Sequence, residues 1–237
     1  MPTATYVLVH GAWCGAWTWD SLTAEFDRRG VSWRTLDLPS SHDTEGTADL
    51  SSDADAVVSA ARVDGPVVVV GHSYGGAVVA EAASRIPQLA GLVFVAALVP
   101  GPGESATEAS RAVRVRTELD DAVVLDEPFL RLDEGRSASA LFGECRALDQ
   151  QRAVSLLGRQ TLASFRQPRH EPDPATPRLY VLCEHDRAID PSVQEVMAQR
   201  CDAVVRLSSD HSPFLSHVTE TADALIGWPP ASATTTA

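Results

Sequence analysis

The residue with the clearest chemical potential is Ser73, which lies in the pentapeptide Gly71-His72-Ser73-Tyr74-Gly75. The four valines before it, Val67–Val70, predict a short strand buried on both faces. The residues after it, Ala77–Ala83, predict a helix. A serine between two glycines at a strand-to-helix turn sits in a bend too sharp for bulky neighbours, with its hydroxyl exposed above the sheet. The pattern therefore predicts that Ser73 is a nucleophile, with a helix N-terminus directed at the oxyanion that it generates.

A serine hydroxyl needs a base within hydrogen-bond reach, and His211 is the predicted base. In a chain with this turn, the acid and then the histidine follow the serine in sequence. His211 lies in the polar segment Ser208–Pro213, between the last predicted strand and the last predicted helix. That position is at the carboxyl edge of a parallel sheet, where ligands bind. The other histidines are predicted to precede or adjoin the serine turn, or to lie in an insertion, a loop or a helix surface: His10, His42, His72, His170, His185 and His217.

The acid that orients His211 should follow the preceding strand, and Asp186 is the predicted residue. It comes three residues after the predicted strand Leu179–Cys183. Glu184 and Asp190 remain alternatives, because a loop this short can present any of the three carboxylates to the base. Asp210, directly before the histidine, is expected to hydrogen-bond within its own loop.

Two backbone N–H groups are needed to stabilise the oxyanion, and Tyr74 and Ala12 are the predicted donors. Tyr74 follows the nucleophile, and Ala12 lies in the loop after the first predicted strand. Gly11 allows that loop to approach the serine. In the same loop, Trp13 is expected to form a wall of the substrate pocket, and His10 to brace the loop by hydrogen bonds.

The elements that must position these residues alternate between strand and helix along most of the chain. This rhythm predicts an α/β fold, with a doubly wound, mostly parallel sheet covered by helices on both faces. The predicted strands are Tyr6–His10, Val31–Leu36, Pro66–Val70, Leu89–Leu98, Arg178–Cys183 and Ala203–Leu207. The predicted helices are Gly15–Arg29, Asp49–Arg62 with acidic residues at its start, one ending at Ile86, Pro191–Arg200 and Phe214–Ile226. Residues 1–99 and 177–230 form the predicted core, and residues 231–237 a disordered tail.

Residues 100–176 break the rhythm and predict a mainly helical lid, or cap, over the active site. No clear pair of strands is evident, and the expected helical pieces are Glu104–Leu119, Ala138–Phe142, Leu148–Leu157 and Leu162–Phe165. Leu141 and Phe142 are expected to join Trp13 in an apolar pocket wall. The few aromatic residues of the lid favour a small or medium acyl or alkyl group in the substrate.

The composition excludes several functions. The 237 residues carry a formal charge of −13, and all 19 basic residues are arginine. Nucleic acid is therefore excluded as a partner, anionic membranes and polyanionic substrates are disfavoured, and the absence of lysine excludes Schiff-base chemistry. The four cysteines have no pairing or metal spacing, which predicts free thiols. No signal peptide or membrane span is evident, so a cytoplasmic protein acting on a small molecule is expected, of unspecified oligomeric state.

The segments VLVHGAWCGAWTWDSL, GHSYGGAV, CEHDRAI and SSDHSPFLS resemble the α/β-hydrolase superfamily. They are most similar to its branch of small esterases and hydroxynitrile lyases, which includes plant methylesterases, and the cap segment from Leu141 to Phe165 resembles that branch too. The resemblance covers about Tyr6 to Ile226. It implies a catalytic triad of Ser73, Asp186 and His211, an oxyanion hole from Ala12 and Tyr74, and no metal or organic cofactor.

Two positions separate the chemistries of that branch. Its hydroxynitrile lyases carry a threonine directly after the first-strand histidine and a lysine directly after the catalytic histidine. Here those positions hold Gly11 and Ser212. The resemblance therefore implies hydrolysis of a small carboxylic ester through an acyl-enzyme. Lyase, C–C hydrolase or cyclase chemistry on the same scaffold, or ligand binding as in hydrolase-like receptors, are the alternatives.

Overall fold

A six-stranded parallel sheet forms the centre of the protein, and the computed structural model describes residues 4–229. The strands lie in the order β2-β1-β3-β4-β8-β9, and every neighbouring pair is parallel. Their bounds are β1 Thr5–Val9, β2 Trp33–Thr35, β3 Val67–His72, β4 Leu89–Val95, β8 Arg178–Cys183 and β9 Ala203–Leu207. The predicted α/β fold is confirmed, and the residues predicted to form a disordered tail, 231–237, lie outside the described part of the chain.

The valines of β3 show why this strand is central. Val67 and Val69 pack into one hydrophobic cluster, and Val68 and Val70 pack into a second. Because successive side chains of a strand point to opposite faces, these two clusters lie on the two faces of the sheet. All four valines are fully buried, as expected for a strand covered on both sides.

Helices cover both faces, as predicted. α3 Leu50–Ala60, α4 Gly75–Ala82 and α10 Pro191–Ala198 bury their apolar residues in the cluster of Val67 and Val69. The other cluster contains apolar residues of α1 Asp20–Arg28, α11 Pro213–Ser216 and α12 Val218–Leu225. The short helix α2 Pro39–His42 follows β2.

Two predicted helices differ in detail. The segment Gly15–Arg29 begins with a 3-10 turn, Ala16–Trp19, before α1. The single helix predicted over Phe214–Ile226 is wrong, because His217 has a non-helical backbone (φ −132°, ψ 57°) and separates α11 from α12. The α11 turn lets Phe214 reach the core just after the polar loop that carries His211.

The segment between β4 and β8 contains an antiparallel sheet as well as helices, so the expectation that it lacks paired strands is wrong. Its three strands are β5 Val123–Asp126, β6 Phe129–Leu132 and β7 Gln160–Thr161, in the order β5-β6-β7. Its helices are α5 Ala106–Ala109, α6 Glu118–Ala122, α7 Glu134–Phe142, α8 Ala147–Ser155 and α9 Leu162–Arg166. We call residues 100–176 the cap.

The helix predicted over Glu104–Leu119 is also wrong, for a reason visible in its caps. Ser105 and Thr117 each form a capping box, so two separate helices begin within that segment. An irregular loop, residues 110–117, connects them. None of the helices in the described range, residues 4–229, is long and apolar enough to cross a membrane.

Candidate active site

Ser73 occupies a strained turn between β3 and α4. Its φ of +54° lies in the left-handed region, which costs a non-glycine residue on the order of 1–3 kcal/mol. Two hydrogen bonds to β4 and the segment that follows it hold the turn: Ser73 N donates to Val95 O (3.2 Å), and Leu98 N donates to Ser73 O (3.0 Å). The backbone that presents this serine is therefore fixed by β4.

The glycines around Ser73 are required by close approach of the backbone. A Cβ on Gly71 would lie 2.6 Å from the carbonyl oxygen of Gly75, and one on Gly75 would lie 2.5 Å from His10 O. A Cβ on Gly76 would lie 2.5 Å from Leu98 O. All three distances are shorter than a carbon–oxygen contact allows, so the pentapeptide pattern has a steric cause.

His211 and Asp186 form a buried pair. The distance from His211 Nδ1 to Asp186 Oδ2 is 2.7 Å, and the two side chains are 1% and 0% exposed. Because Nδ1 faces the carboxylate, it is the nitrogen that carries the proton, and Nε2 is left to accept one. The pair therefore has the geometry of a general base with an orienting acid.

The carboxylate of Asp186 is fixed by three further donors. Its Oδ1 accepts from Ala188 N (2.7 Å) and Ile189 N (2.9 Å). Its Oδ2 accepts from Gln194 Nε2 (2.9 Å), and Gln194 also accepts from Cys183 N (3.0 Å). Gln194 lies on α10 and is fully buried, so it ties the acid to the end of β8. Sequence reasoning missed this residue, although a glutamine beside the apolar Val193 and Met197 was a visible signal.

The structure distinguishes Asp186 from the two alternative acids. Glu184 accepts from Ser208 Oγ (2.8 Å), and Asp190 caps α10 by accepting from Ser192 N (2.9 Å). Asp210 forms loop bonds as predicted, accepting from Glu144 N (2.9 Å) and Ser216 Oγ (2.7 Å). Of these carboxylates, it is Asp186 that contacts the histidine.

His72 positions the base through its backbone. Its Nε2 donates to the carbonyl oxygen of His211 (2.9 Å), and the two rings lie 4.6 Å apart. Burial, together with the neighbouring imidazole of His211, holds the pKa of His72 well below its ordinary value. His72 therefore stays neutral and donates this bond across the pH range in which a histidine base works.

The loop after β1 carries Ala12, the second of the two predicted oxyanion donors. His10 braces this loop, as expected: its Nδ1 donates to Gly11 O (2.8 Å), and its Nε2 accepts from Leu38 N (3.0 Å). Among residues 4–229, the N–H groups of Ala12 and Tyr74 donate to no protein acceptor. Both are thus available to a bound oxyanion.

A second buried polar network lies beneath Tyr74. Its hydroxyl donates to Asp53 Oδ2 (2.7 Å), which also accepts from Ser40 Oγ (2.5 Å). Burial raises the pKa of Asp53 to about 6. Gln160 of β7 donates to Ser40 Oγ (2.6 Å), so this network joins α2 and α3 to the cap. Of the acidic residues predicted at the start of this helix, Asp49 caps α3 and Asp53 is buried.

Two cavities meet at Ser73. A small one of about 10 Å³ is lined by Ala12, His211, Leu141 and Phe142 as well as Ser73. A large one of about 930 Å³ extends beneath the cap, and Trp13 and Tyr74 line it together with Ser73. Trp13 thus forms a pocket wall, and its indole N–H donates to Leu130 O of β6 (3.0 Å). Leu141 and Phe142 lie on the histidine side of the serine, in the small cavity.

Comparison with known proteins finds a family, sequence relatives and solved structures similar to this chain. The sequence model of the alpha/beta hydrolase family matches residues 6–224. Polyneuridine aldehyde esterase of Rauvolfia serpentina is 25% identical over 93% of this chain and 94% of its own length. A pyrethroid hydrolase of Sphingobium wenxiniae is 26% identical over 95% of this chain and 87% of its own length. The crystal structure of a pyrethroid hydrolase from Sphingobium faniae JZ-2 has a TM-score of 0.84 at 24% identity, covering 98% of this chain and 100% of that one.

The chain therefore belongs to the alpha/beta hydrolase family, whose model spans nearly all of it. Within that family it belongs to the branch of small esterases that includes the plant methylesterases. The resemblance stated from the sequence is confirmed at both levels, and the protein is an α/β-hydrolase enzyme.

Proposed function

We propose that the protein hydrolyses small-molecule carboxylic esters, with Ser73 as nucleophile, His211 as general base and Asp186 as the acid that orients the base. One observation carries the proposal: His211, which is paired with the buried Asp186, lines the same small cavity as the strained Ser73. Names of the relatives, esterase and hydrolase, support the same reaction class.

The first half of the reaction forms an acyl-enzyme. Ser73 Oγ attacks the ester carbonyl carbon while His211 Nε2 takes the hydroxyl proton. The negative carbonyl oxygen is stabilised by the N–H groups of Ala12 and Tyr74, each worth roughly 3 kcal/mol of barrier. Asp186 holds the imidazole tautomer and stabilises the imidazolium. The C–O bond to the alcohol then breaks, and His211 gives the proton to the leaving oxygen.

The second half uses water in place of the alcohol. His211 takes a proton from a water molecule, whose oxygen attacks the acyl carbon, and then returns a proton to Ser73 Oγ. Both the leaving alcohol and this water must lie beside His211, which faces the small cavity. Its volume of about 10 Å³ is close to what one water molecule needs. We therefore assign the large cavity to the acyl group and expect small leaving alcohols such as methanol.

Hydrolysis is favoured over cyanohydrin cleavage by the loop after β1. A Cβ on Gly11 would lie 2.9 Å from Ser73 Cβ and 3.0 Å from His72 Nδ1, so this site has no room for a threonine. Ser212 stands where the lyases carry a lysine, and it provides no positive charge to meet cyanide.

The direct test is hydrolysis of methyl hexanoate by the wild type and by Ser73→Ala. The rate is measured in a pH-stat as the release of protons. We expect turnover by the wild type and a loss on the order of 10⁶ in rate in the variant. Mass spectrometry of an acid-quenched wild-type reaction should find a hexanoyl group on the peptide that contains Ser73. Equal rates for both proteins would overturn the assignment of the nucleophile, and binding without turnover would favour a receptor-like role.

A further inference from the structure

The large cavity has an unusual distribution of charge. Four arginines line it: Arg111, Arg114 and Arg116 on the loop between α5 and α6, and Arg166 at the end of α9. The charged groups of opposite sign that line it are Asp120 and Asp190. A chain with a formal charge of −13 thus surrounds its substrate cavity with a local excess of two positive charges.

Most arginines of this protein are neutralised by carboxylates, but three of these four are not. In the described range, twelve of the 19 arginines have a carboxylate oxygen within 4.0 Å. Arg116 is one of them, paired with Asp121. The seven others are Arg34, Arg62, Arg111, Arg114, Arg136, Arg159 and Arg166. Three of those seven line this one cavity, so their guanidinium groups are available to a ligand.

The two aspartates of the cavity have other partners. Asp120 caps α6, accepting from Thr117 N (2.8 Å) and Thr117 Oγ1 (3.0 Å). Asp190 caps α10, accepting from Ser192 N and Ser192 Oγ. Neither carboxylate lies within 4.0 Å of Arg111, Arg114 or Arg166, so neither forms an ion pair with them.

The cavity also has an apolar wall, and its two ends differ in their exposure to solvent. Leu98, Leu130, Phe165 and Val193 line it along with the arginines. Ser73 is buried (8% exposed), whereas Arg111, Arg114 and Arg166 are all exposed. The reacting serine therefore lies at the inner end and the guanidinium groups at the outer end.

We propose that the preferred substrates are methyl or similarly small esters whose acyl chain ends in a carboxylate, such as half-esters of dicarboxylic acids. The ester reaches Ser73, the methylene chain lies against the apolar wall, and the terminal carboxylate binds Arg111, Arg114 or Arg166. Guanidinium groups suit this task because they bind carboxylates with two parallel hydrogen bonds. This inference rests on the proposed ester hydrolysis. It also differs from the expectation drawn from net charge, since the acidic surface repels anions while the cavity attracts them.

The test compares esters matched in length. Methyl hexanoate and monomethyl adipate have the same acyl chain length, and the latter carries a terminal carboxylate. We expect kcat/KM to be about tenfold or more higher for monomethyl adipate, as for charged hydrogen bonds at a partly exposed site. A series from monomethyl succinate to monomethyl suberate finds the best chain length. Added salt should lower kcat/KM for the half-esters and not for methyl hexanoate.

The variant that removes the site is Arg111→Gln, Arg114→Gln and Arg166→Gln together. Its matched control is Arg34→Gln, Arg62→Gln and Arg136→Gln, which removes three exposed arginines that also lack a carboxylate partner and do not line the cavity. In the first triple variant, the ratio of kcat/KM for monomethyl adipate to kcat/KM for methyl hexanoate should fall to about one. The control should keep the wild-type ratio. Equal loss of half-ester activity in both triple variants, or no preference in the wild type, would overturn the proposal.

A binding measurement separates this inference from the proposed reaction. If the wild type hydrolyses methyl hexanoate without preferring any half-ester, ester hydrolysis stands and the carboxylate site is wrong. If no ester is hydrolysed, calorimetric titration of monomethyl adipate into Ser73→Ala still decides. Binding that the Arg111, Arg114 and Arg166 substitutions abolish would support the carboxylate site, and the absence of binding would sink it.

Discussion

Two buried aspartates reach the serine turn by different routes, and their surroundings differ. Asp186 accepts from an imidazole, two backbone N–H groups and the amide of Gln194. Asp53 accepts from the backbone and hydroxyl of Ser40 and from the hydroxyl of Tyr74, the residue after the nucleophile. Each carboxylate is therefore fixed by neighbouring donors, but only the partner of Asp186 can become a cation during the reaction.

This difference shows that burial alone does not identify a catalytic acid, and that the hydrogen-bond partner of the carboxylate must be considered. A carboxylate beside an imidazole can stabilise the imidazolium that forms when the serine is deprotonated. A carboxylate among hydroxyls has no such partner, and burial instead raises the pKa of Asp53 to about 6. We infer that Asp186 acts on the reaction and that Asp53 acts on the position of Tyr74.

The strongest test of this comparison is to replace each aspartate by asparagine. Asp186→Asn should lower kcat about 10⁴-fold, because an amide in place of the carboxylate favours the wrong tautomer of His211. In Asp53→Asn, kcat should stay within about tenfold of the wild-type value. The substitution changes a hydrogen bond to the side chain of Tyr74, whereas the proposed oxyanion donor is the backbone N–H of that residue. Steady-state kinetics on a methyl ester measure both. Equal losses in the two variants would remove the distinction between them.

A smaller effect is expected from the glutamines that support the two networks. Gln194→Met removes a donor to Asp186 and leaves buried partners unpaired, so we expect kcat to fall about 10- to 100-fold as the acid shifts, with KM nearly unchanged. Gln160→Met, the matched control, removes donors to Ser40 and Ser164 at the boundary with the cap. It should lower stability by a similar amount and kcat by less.

The pH profile distinguishes positioning from a purely structural role. If Gln194 positions Asp186, the pH dependence of kcat/KM should change in Gln194→Met and stay as in the wild type in Gln160→Met. If the pH profile of kcat/KM is unchanged in both variants and both lose the same stability, the role of Gln194 is structural only.

The core and its central residues could be predicted because their signals are local. Four valines, two glycines and the following helix specify the turn at Ser73, and the polar loop after the last strand specifies His211. The sequence predicted Asp186 as the acid but left Glu184 and Asp190 as alternatives. The sequence does not show which way each side chain of this loop points, and in the structure the Ala188, Ile189 and Gln194 donors hold Asp186 against His211.

The cap was predicted least well, and for physical reasons. The strands β5 and β6 are four residues each, and their alternation is weak because Val124 and Leu125 are both exposed. Strand β7 has two residues and is defined only by its pairing with β6.

The burial of Asp53 could have been predicted from the sequence, since this acidic residue interrupts the apolar stripe of Leu50, Ala54 and Val57 on α3.

The smallest expected effect sharpens the comparison through stability. Burial raises the pKa of Asp53 to about 6 from an ordinary value of 3.8, so between these values the folded protein binds more protons than the unfolded chain. The free energy of unfolding contributed by Asp53 is therefore highest below that range and falls as pH rises through it. In Asp53→Asn this contribution is absent, whereas all other titrating groups remain.

The difference in unfolding free energy between wild type and Asp53→Asn isolates that contribution. Between about pH 4.5 and about pH 7.5, we expect the free energy of unfolding of the wild type to fall by about 2 kcal/mol relative to that of Asp53→Asn. Urea denaturation of both proteins across this range measures it. A difference that stays constant with pH would mean that Ser40 and Tyr74 offset the cost of burying the charge. Asp53 would then be ionised throughout, and the two carboxylates would differ only in the partner that each one holds.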